Sequence, residues 1–177
     1  KILAEYQSDN FTTVTIRPAT VCGYSPRQRL DVIVNILTNL AYHKREISVF
    51  GGEQLRPNIH IKDMVRAYET LIKAPKSKVS GEIFNASYEN HSVLELANTV
   101  KKIIGDDVNL KCSPTNDNRS YHISSKKIKK ILKFETEFTI KDAVSDLKEV
   151  FEKKLLSDPL NNNKYFNIKM MQSLNLK

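Results

Sequence analysis

The seventeen-residue stretch from Ile47 to Asp63, ISVFGGEQLRPNIHIKD, constrains the fold of this chain more than any other. Two alternating apolar runs flank a Gly-Gly pair, and alternation with a period of two is the signal of a half-buried strand. Ile47-Ser48-Val49-Phe50 predicts one strand, Gly51-Gly52 allow the positive φ of a chain reversal, and Ile59 and Ile61 on either side of His60 predict a second strand. Asp63 then stands where it can cap a helix carrying Met64, Val65, Tyr68, Leu71 and Ile72. Arg56 enters the second strand at the rim of this frame. By itself it is either an exposed strand-end cation or an aimed anion ligand, for which a planar, permanently charged, bidentate donor is well suited.

The flanking segments alternate between strand and helix patterns. Thr12 to Pro18 is β-branched and alternating and predicts a buried parallel strand that leaves its sheet at the carboxyl end, where ligands of open α/β sheets bind. Leu30, Ile33, Val34, Leu37, Leu40 and Ala41 form one helical stripe, with His43 in its last turn as a C-terminal charge or surface residue. A turn-rich run, Ala74 to Gly81, leads to a strand at Glu82 to Ser87. Ser92-Val93-Leu94-Glu95 is a capping box opening a helix, Asn109 to Ser113 is a short strand, and Thr139 with Asp142 can cap a last long helix. His91 reads as structural or exposed. The Asn-rich tail after Pro159 lacks a period and is expected to hug the surface or to be disordered.

Composition narrows the function classes. At 177 residues and 40% hydrophobic the chain can bury one good core, and no run of eighteen apolar residues predicts a membrane span. Cys22 and Cys112 lie in unrelated contexts without metal-type spacing, Cys22 reading as a small buried apolar residue, and no metal site is expected. The start lacks the layout of a signal peptide, so a reducing cytoplasm is expected. The net charge of +8 raises the question of nucleic acid. Of the 28 basic residues 21 are lysines, as at Lys126, Lys127, Lys129, Lys130 and Lys133 around Ile128, Ile131 and Leu132, which reads as a solvated helix face. No nucleic-acid partner and no membrane partner are expected.

Read together, Val49-Phe50-Gly51, Gln54-x-Arg56 and Ile59-His60-Ile61-x-Asp63 resemble the signature V-F/Y-G-x-G-x-Q-x-R-x-x-I/V-H-V-x-D. That signature marks the NAD-dependent epimerases and dehydratases, the extended short-chain dehydrogenase/reductase family that modifies nucleotide-activated sugars. Arg17 to Pro26, RPATVCGYSP, resembles the family's R-x-x-N/T-V-Y-G-P crossover, with Cys22 in place of the commoner tyrosine. Asn118-Arg119-Ser120-Tyr121 with Ser124 and Lys127 resembles its D-x-R-S/x-Y-x-x-S/D-x-x-K element, and Leu132 to Ile140 its L-G-F-x-P stretch with glycine and proline replaced. Lys1-Ile2-Leu3-Ala4-Glu5 resembles the segment that begins at the lysine of the Tyr-x-x-x-Lys pair.

The resemblance, over residues 1 to about 155, implies an α/β fold: the C-terminal part of a Rossmann-like extended short-chain dehydrogenase/reductase with its smaller α/β substrate-binding domain. Residues 1–26 would close the NAD-binding domain, 27–155 would form mostly the substrate-binding region with returning Rossmann elements, and 156–177 a C-terminal extension. Lys1 would serve catalysis and hold the nicotinamide ribose, and Pro18, Ala19, Thr20 and Val21 would border NAD or NADP. Thr20, Arg29, Asn35, Arg56 and Arg119 would bind a nucleotide-diphosphate sugar, the two last arginines clamping its phosphates. The implied chemistry is hydride transfer at a sugar hydroxyl through a keto intermediate, in a homodimer as the full-length protein. Two alternatives stay open: a non-catalytic or reductase-type relative of the same fold, and a basic nucleic-acid-binding domain.

The five glycines cannot form the Gly-rich phosphate loop that opens a dinucleotide-binding fold, so the resemblance also implies a preceding first half. The expected outcome of reading the coding sequence upstream of Lys1 is a tyrosine four residues before it and a Gly-rich strand-to-helix turn well before that. A start codon directly before Lys1 in an intact gene would contradict both.

Overall fold

The computed structural model describes residues 2–116 and 120–176. The chain runs α1 (Ile2–Glu5), β1 (Thr15–Pro18), β2 (Thr20–Cys22), α2 (Ile33–Lys44), β3 (Glu46–Phe50), β4 (Leu55–His60), α3 (Ile61–Lys73) and α4 (Lys76–Val79). It continues with β5 (Ile83–Ala86), β6 (Asn90–Ser92), α5 (Val93–Ile104), β7 (Asn109–Ser113), α6 (Lys126–Leu132) and α7 (Ile140–Glu152). A single turn of 3-10 helix at Asn163–Tyr165 leads to α8 (Asn167–Ser173). This is the expected α/β fold.

Strand pairing is mostly parallel. β1 lies beside β5 with Thr15 opposite Ile83, β2 lies beside β4 with Thr20 opposite Asn58, and β3 lies beside β7. β4 also pairs antiparallel with β6, Arg56 opposite His91. Backbone bonds from Ala19 N to Ala86 O (2.8 Å) and from Tyr88 N to Asn58 O (2.9 Å) stitch the β1–β5 pair to the β4 sheet. The two strands of the Ile47–Asp63 stretch do not pair with each other: at Gly51 (φ 77°) and Gly52 (φ 131°) the chain turns out of one sheet and into another.

Three apolar clusters hold these layers. Val34, Leu37 and Ala41 of α2 meet Leu96 and Val100 of α5, Val144 of α7 and Ile47 and Val49 of β3. Ile59 and Phe84 pack with Met64, Ala67 and Leu71 of α3, with Ile128 and with Phe134. Leu30 packs with Leu147, Phe151 and Tyr165. Fully burying such side chains contributes about 1.5–3 kcal/mol each. The Ser92–Glu95 and Thr139–Asp142 capping boxes both form. No described helix is long and apolar enough to cross a membrane.

Several expectations are corrected. The helical stripe starts at Ile33, and Leu30 is buried in the preceding loop rather than in the helix. Asp63 does not cap α3; the cap is His60, whose side chain accepts the Lys62 N–H. Asp63 is instead fully buried, pairs with Arg66 (2.5 Å) and accepts the backbone N–H groups of Glu137 (3.0 Å) and Phe138 (3.0 Å), tying α3 to the turn before α7. The tail takes the surface-hugging form, with Tyr165 buried. Of the two readings of His43 the surface residue holds: it is exposed in the last turn of α2, edge-on to Phe151, and partial burial keeps its pKa below the usual value.

The Thr12–Pro18 strand is shorter and less buried than expected. β1 starts at Thr15 and, among the described residues, pairs on one edge only, so Thr15, Arg17 and Pro18 are exposed. Val14 and Ile16 line an open groove of about 390 Å³ with Tyr68, Leu71 and Ile72. Ile72 is 82% exposed and Tyr68 48%. An apolar groove beside a one-sided strand attracts hydrophobic ligands. The isolated 177-residue chain should therefore brighten a hydrophobic fluorescent dye, and Ile72→Lys should dim the signal while shifting stability by no more than about 0.5 kcal/mol. Equal dye binding by variant and parent would place the sticky surface elsewhere.

His60 makes stability depend on pH. The ring is fully buried, stacks on Phe138 at 4.9 Å and accepts the Lys62 N–H at Nδ1, so the neutral ring carries its proton on Nε2, 3.4 Å from Asp146 Oδ2. That contact allows charge attraction without hydrogen-bond alignment. Burial lowers the His60 pKa, outweighing Asp146, Asp63 and Asp142, while Lys62 acts in the same direction as burial. Above about pH 6.5 the ring is neutral both folded and unfolded. As the pH falls below that value the unfolded chain takes up a proton that the native ring resists, so stability is lost toward the lower folded pKa. His43 acts in the same sense. Thermal melts at about pH 7.5 and about pH 5.5 should show a lower Tm in acid, with a smaller drop for His60→Gln. An equal drop would remove His60 as a cause.

Candidate functional site

The site lies where β1 hands the chain to β2. The Ala19 N–H bonds back to the end of β5, so the carboxyl end of β1 and the start of β2 turn over the sheet edge together. A cleft of about 430 Å³ opens there, with Pro18, Ala19, Thr20 and Val21 along one side. Arg29 and Val32 close it from the loop before α2, and Tyr121 and Ile123 face it from the other side.

The loop carrying Arg29 is held from within. Gly23 sits at φ 98°, and a Cβ there would stand 3.1 Å from His60 Nε2, so the buried histidine backs the loop at a point where only glycine fits without strain. Asn35, 2% exposed, accepts the Gly23 N–H (3.0 Å) and donates to the carbonyls of Gly23 (3.3 Å) and Arg29 (2.8 Å). Gln28 donates to the Arg29 carbonyl (2.9 Å) and accepts from Ser25 N (3.0 Å). Arg29 Nε donates to Asp31 Oδ1 at 2.9 Å. Burial pushes the Asp31 pKa up, but the Arg29 hydrogen bond and charge and the Asn167 N–H outweigh it and hold the carboxyl below its ordinary range.

The opposite wall, Ser120 to Ser125, is fastened to strand ends by side chains. Ser120 Oγ accepts the Leu55 N–H (3.0 Å), Asn90 pairs with both the N–H (2.8 Å) and the C=O (3.1 Å) of Ile123, and Ser125 Oγ accepts the Ser87 N–H (2.8 Å). Arg56 is half-buried on β4, two residues before the Asn58 that pairs with Thr20, and its Nη1 donates to the Leu55 carbonyl at 3.0 Å.

The structure thus brings Pro18, Ala19, Thr20, Val21 and Arg29 into one cleft. Asn35 is not on its surface: it is buried and spends its amide on the loop backbone. Arg56 stands on the strand next to the Ser120 wall rather than in the cleft lining. Lys1 and Arg119 lie outside the described residues. Sequence reasoning missed Val32, Ile123, Asp31 and Asn90, whose roles arise only in three dimensions; Tyr121 lay within the Arg119 motif, which was the signal for it. Cys22 is buried and its thiol is pushed up to about 12, so it is no nucleophile. No group of three or more potential metal ligands occurs among the described residues.

Comparison with known proteins places this geometry. Residues 1–87 match the model of the NAD dependent epimerase/dehydratase family. The chain is 34% identical over 124 residues to dTDP-4-dehydro-6-deoxy-D-allose reductase of Streptomyces bikiniensis, covering 64% of this chain and 36% of that protein. Its fold matches UDP-glucose 4-epimerase of Thermotoga maritima, solved with UDP-glucose, at a TM-score of 0.70 and 25% identity, over 83% of this chain and 48% of that one. It also matches dTDP-glucose 4,6-dehydratase of Bacillus anthracis, solved with NAD, at a TM-score of 0.69 and 17% identity, over 94% and 50% of the two chains. The chain therefore spans about half the length of these solved structures. The matched residues 1–87 carry β1, β2, the Arg29 loop and Arg56, so the similarity to the NAD dependent epimerase/dehydratase family falls on one side of the cleft.

Proposed function

We propose that this chain is the substrate-binding half of an NAD-dependent enzyme that epimerises, dehydrates or reduces a nucleotide-diphosphate sugar. The observation that carries the reading is the convergence of Pro18–Val21 and Arg29 in one cleft at the carboxyl end of parallel strands, where open α/β sheets take their ligands. Its size suits one end of a dinucleotide beside a sugar. The glycines at 23, 51, 52, 81 and 105 are scattered over turns and offer no cradle for a pyrophosphate, so these residues fit the nicotinamide end of the cofactor and leave its remainder to the other half of the protein. NAD, when bound, supplies the acceptor and donor of a hydride at the sugar. Residues 1–26 then complete the cofactor domain, 27–155 hold mostly the substrate, and 156–177 extend beyond both.

Each residue has a stated task in this reading. The backbone of Pro18 to Val21 borders the nicotinamide end, and the Thr20 hydroxyl faces the sugar. Arg29, Arg56 and Arg119 supply guanidinium groups for the diphosphate, each adding a charge-assisted and bidentate hold. Asn35 positions the Arg29 loop without touching substrate. Lys1 carries the charge that lowers the pKa of an upstream tyrosine acting as acid and base at the sugar hydroxyl. The similarity to a reductase favours a second reading, in which hydride is delivered to a keto sugar without being taken back.

In the full-length protein Arg56→Ala should raise the dissociation constant for the nucleotide sugar about ten- to a hundredfold, the loss of roughly 1.5–3 kcal/mol expected of one hydrogen bond to a charged group. NAD affinity should stay as it is. Titration calorimetry showing equal nucleotide-sugar affinity for variant and parent would remove Arg56 from the site.

A further inference from the structure

The C-terminal segment is fastened to the loop that carries Arg29. The Tyr165 carbonyl accepts the Leu30 N–H (2.9 Å), Asp31 Oδ2 accepts the Asn167 N–H (2.8 Å), and the Pro159 carbonyl accepts from Asn39 Nδ2 of α2 (2.9 Å). Leu30 itself is fully buried against Leu147, Phe151 and Tyr165. Positions 30 and 31, directly after Arg29, are thus clasped by backbone groups of the tail. On the other side of Arg29, Asn35 and Gln28 hold the loop from within. Farther out, Tyr24, Pro26 and Arg27 are separated from Leu155 and Met170 by a gap of about 340 Å³, so the clasp acts next to Arg29 and not along the whole loop.

Asp31 connects the two. One carboxylate oxygen holds Arg29 Nε and the other holds the tail through Asn167. With Nε engaged, the two Nη groups of Arg29 remain as a planar pair for an anion, aimed by a carboxylate whose own position is set by the tail. We propose that the C-terminal segment from Leu155 to Ser173 is a strap that orients Arg29 for the diphosphate of the substrate, with Asp31 and the Asn167 N–H as positioning groups. This rests on the reading of the cleft given above. A side chain ordered before binding loses less conformational entropy on binding, so releasing it weakens affinity without removing any contact to the ligand.

Asn167→Pro breaks the link, and Asn167→Ala, which loses the same side chain but keeps the N–H, is its control and should bind nucleotide as the parent does. The proline variant deletes one N–H, proline suits the first position of a helix, and the extended backbone of Phe166 (φ −125°, ψ 103°) accepts a following proline. The full-length protein is compared as parent, Asn167→Pro, Asp31→Ala and the double variant, using UDP and dTDP as probes, NAD as control, and amide hydrogen exchange over residues 23–31. The expected result is about a five- to tenfold rise in the nucleotide dissociation constant for each single variant, no further rise in the double variant, unchanged NAD affinity and faster loop exchange in both. Nucleotide affinity of Asn167→Pro equal to the parent, effects that multiply in the double variant, or an equal fall in NAD affinity would overturn the strap. If the parent binds neither nucleotide, the reading of the cleft fails on its own. Loop exchange then decides the strap: faster in Asn167→Pro supports it, and unchanged overturns it.

Discussion

Much of this structure depends on the parallel pairing of β2 with β4. Thr20 beside Asn58 and Cys22 beside His60 set the register, and that register brings the end of β1, the Gly23 loop and the start of α3 to one place. A slip of one residue would turn every side chain of the strand to the opposite face, taking Ile59 out of its apolar cluster and the buried Asn58 and His60 away from their hydrogen-bond partners. The same strand pairs with β6 on its other edge, and its last residue, His60, both caps α3 and backs Gly23. Cleft and core therefore share one ladder, and disturbance of either is felt in the other.

Several of the buried polar residues lie around this ladder. Gln28, Asn35, Asn58, His60 and Asp63 are all buried, and each has at least one hydrogen bond to backbone. Burying a polar group without a partner costs about 1–3 kcal/mol, so such residues contribute little net stability and much definition: their backbone partners are met in one arrangement only, even though Asn58 Oδ1 and His60 Nε2 make no hydrogen bond. Asn35 can meet Gly23 and Arg29 at once only if the loop closes in a single way. Asp63 can take two backbone N–H groups only if the turn before α7 returns to α3.

The elements that could be read from the sequence are those governed by local rules. The Ser92–Glu95 and Thr139–Asp142 boxes, the strand at Asn109 to Ser113 and the positive φ of Gly51 and Gly52 are decided within a few residues of chain. The reading went wrong where distant partners intervene. Asp63 looked like a cap because aspartate favours that position, yet the His60 ring, fixed by burial, took the amide, and Asp63 was drawn to amides more than seventy residues away. Leu30 continued a helical period but is buried before the helix, because the tail clasps its backbone. The alternation of Thr12 to Pro18 marked a strand but not its start, since pairing with β5 begins only at Thr15. Of the residues expected at the site from motif and strand position, Pro18 to Val21 and Arg29 line one cleft, whereas the Asn90 and Ser125 fastenings of its far wall join segments 33 and 38 residues apart and leave no local trace.

Charge is sorted by the same logic. Most of the excess positive charge sits on lysines such as those of α6, where flexible, strongly hydrated ammonium groups remain in water and only Ile128 is buried. Arginine is used where direction matters. Arg66 bridges Asp63 and Glu137, Arg29 is braced by Asp31, and Arg56 rises from a strand paired on both edges. A lysine in place of Arg29 would keep the charge but lose the arrangement in which Nε is held while two parallel N–H groups remain free to grip an anion. The cost of ordering a long cationic side chain falls on folding rather than on binding when a carboxylate already holds its stem. A cleft lined otherwise by backbone, apolar groups and the hydroxyl-bearing Thr20 and Tyr121 would then discriminate by the direction of a single guanidinium.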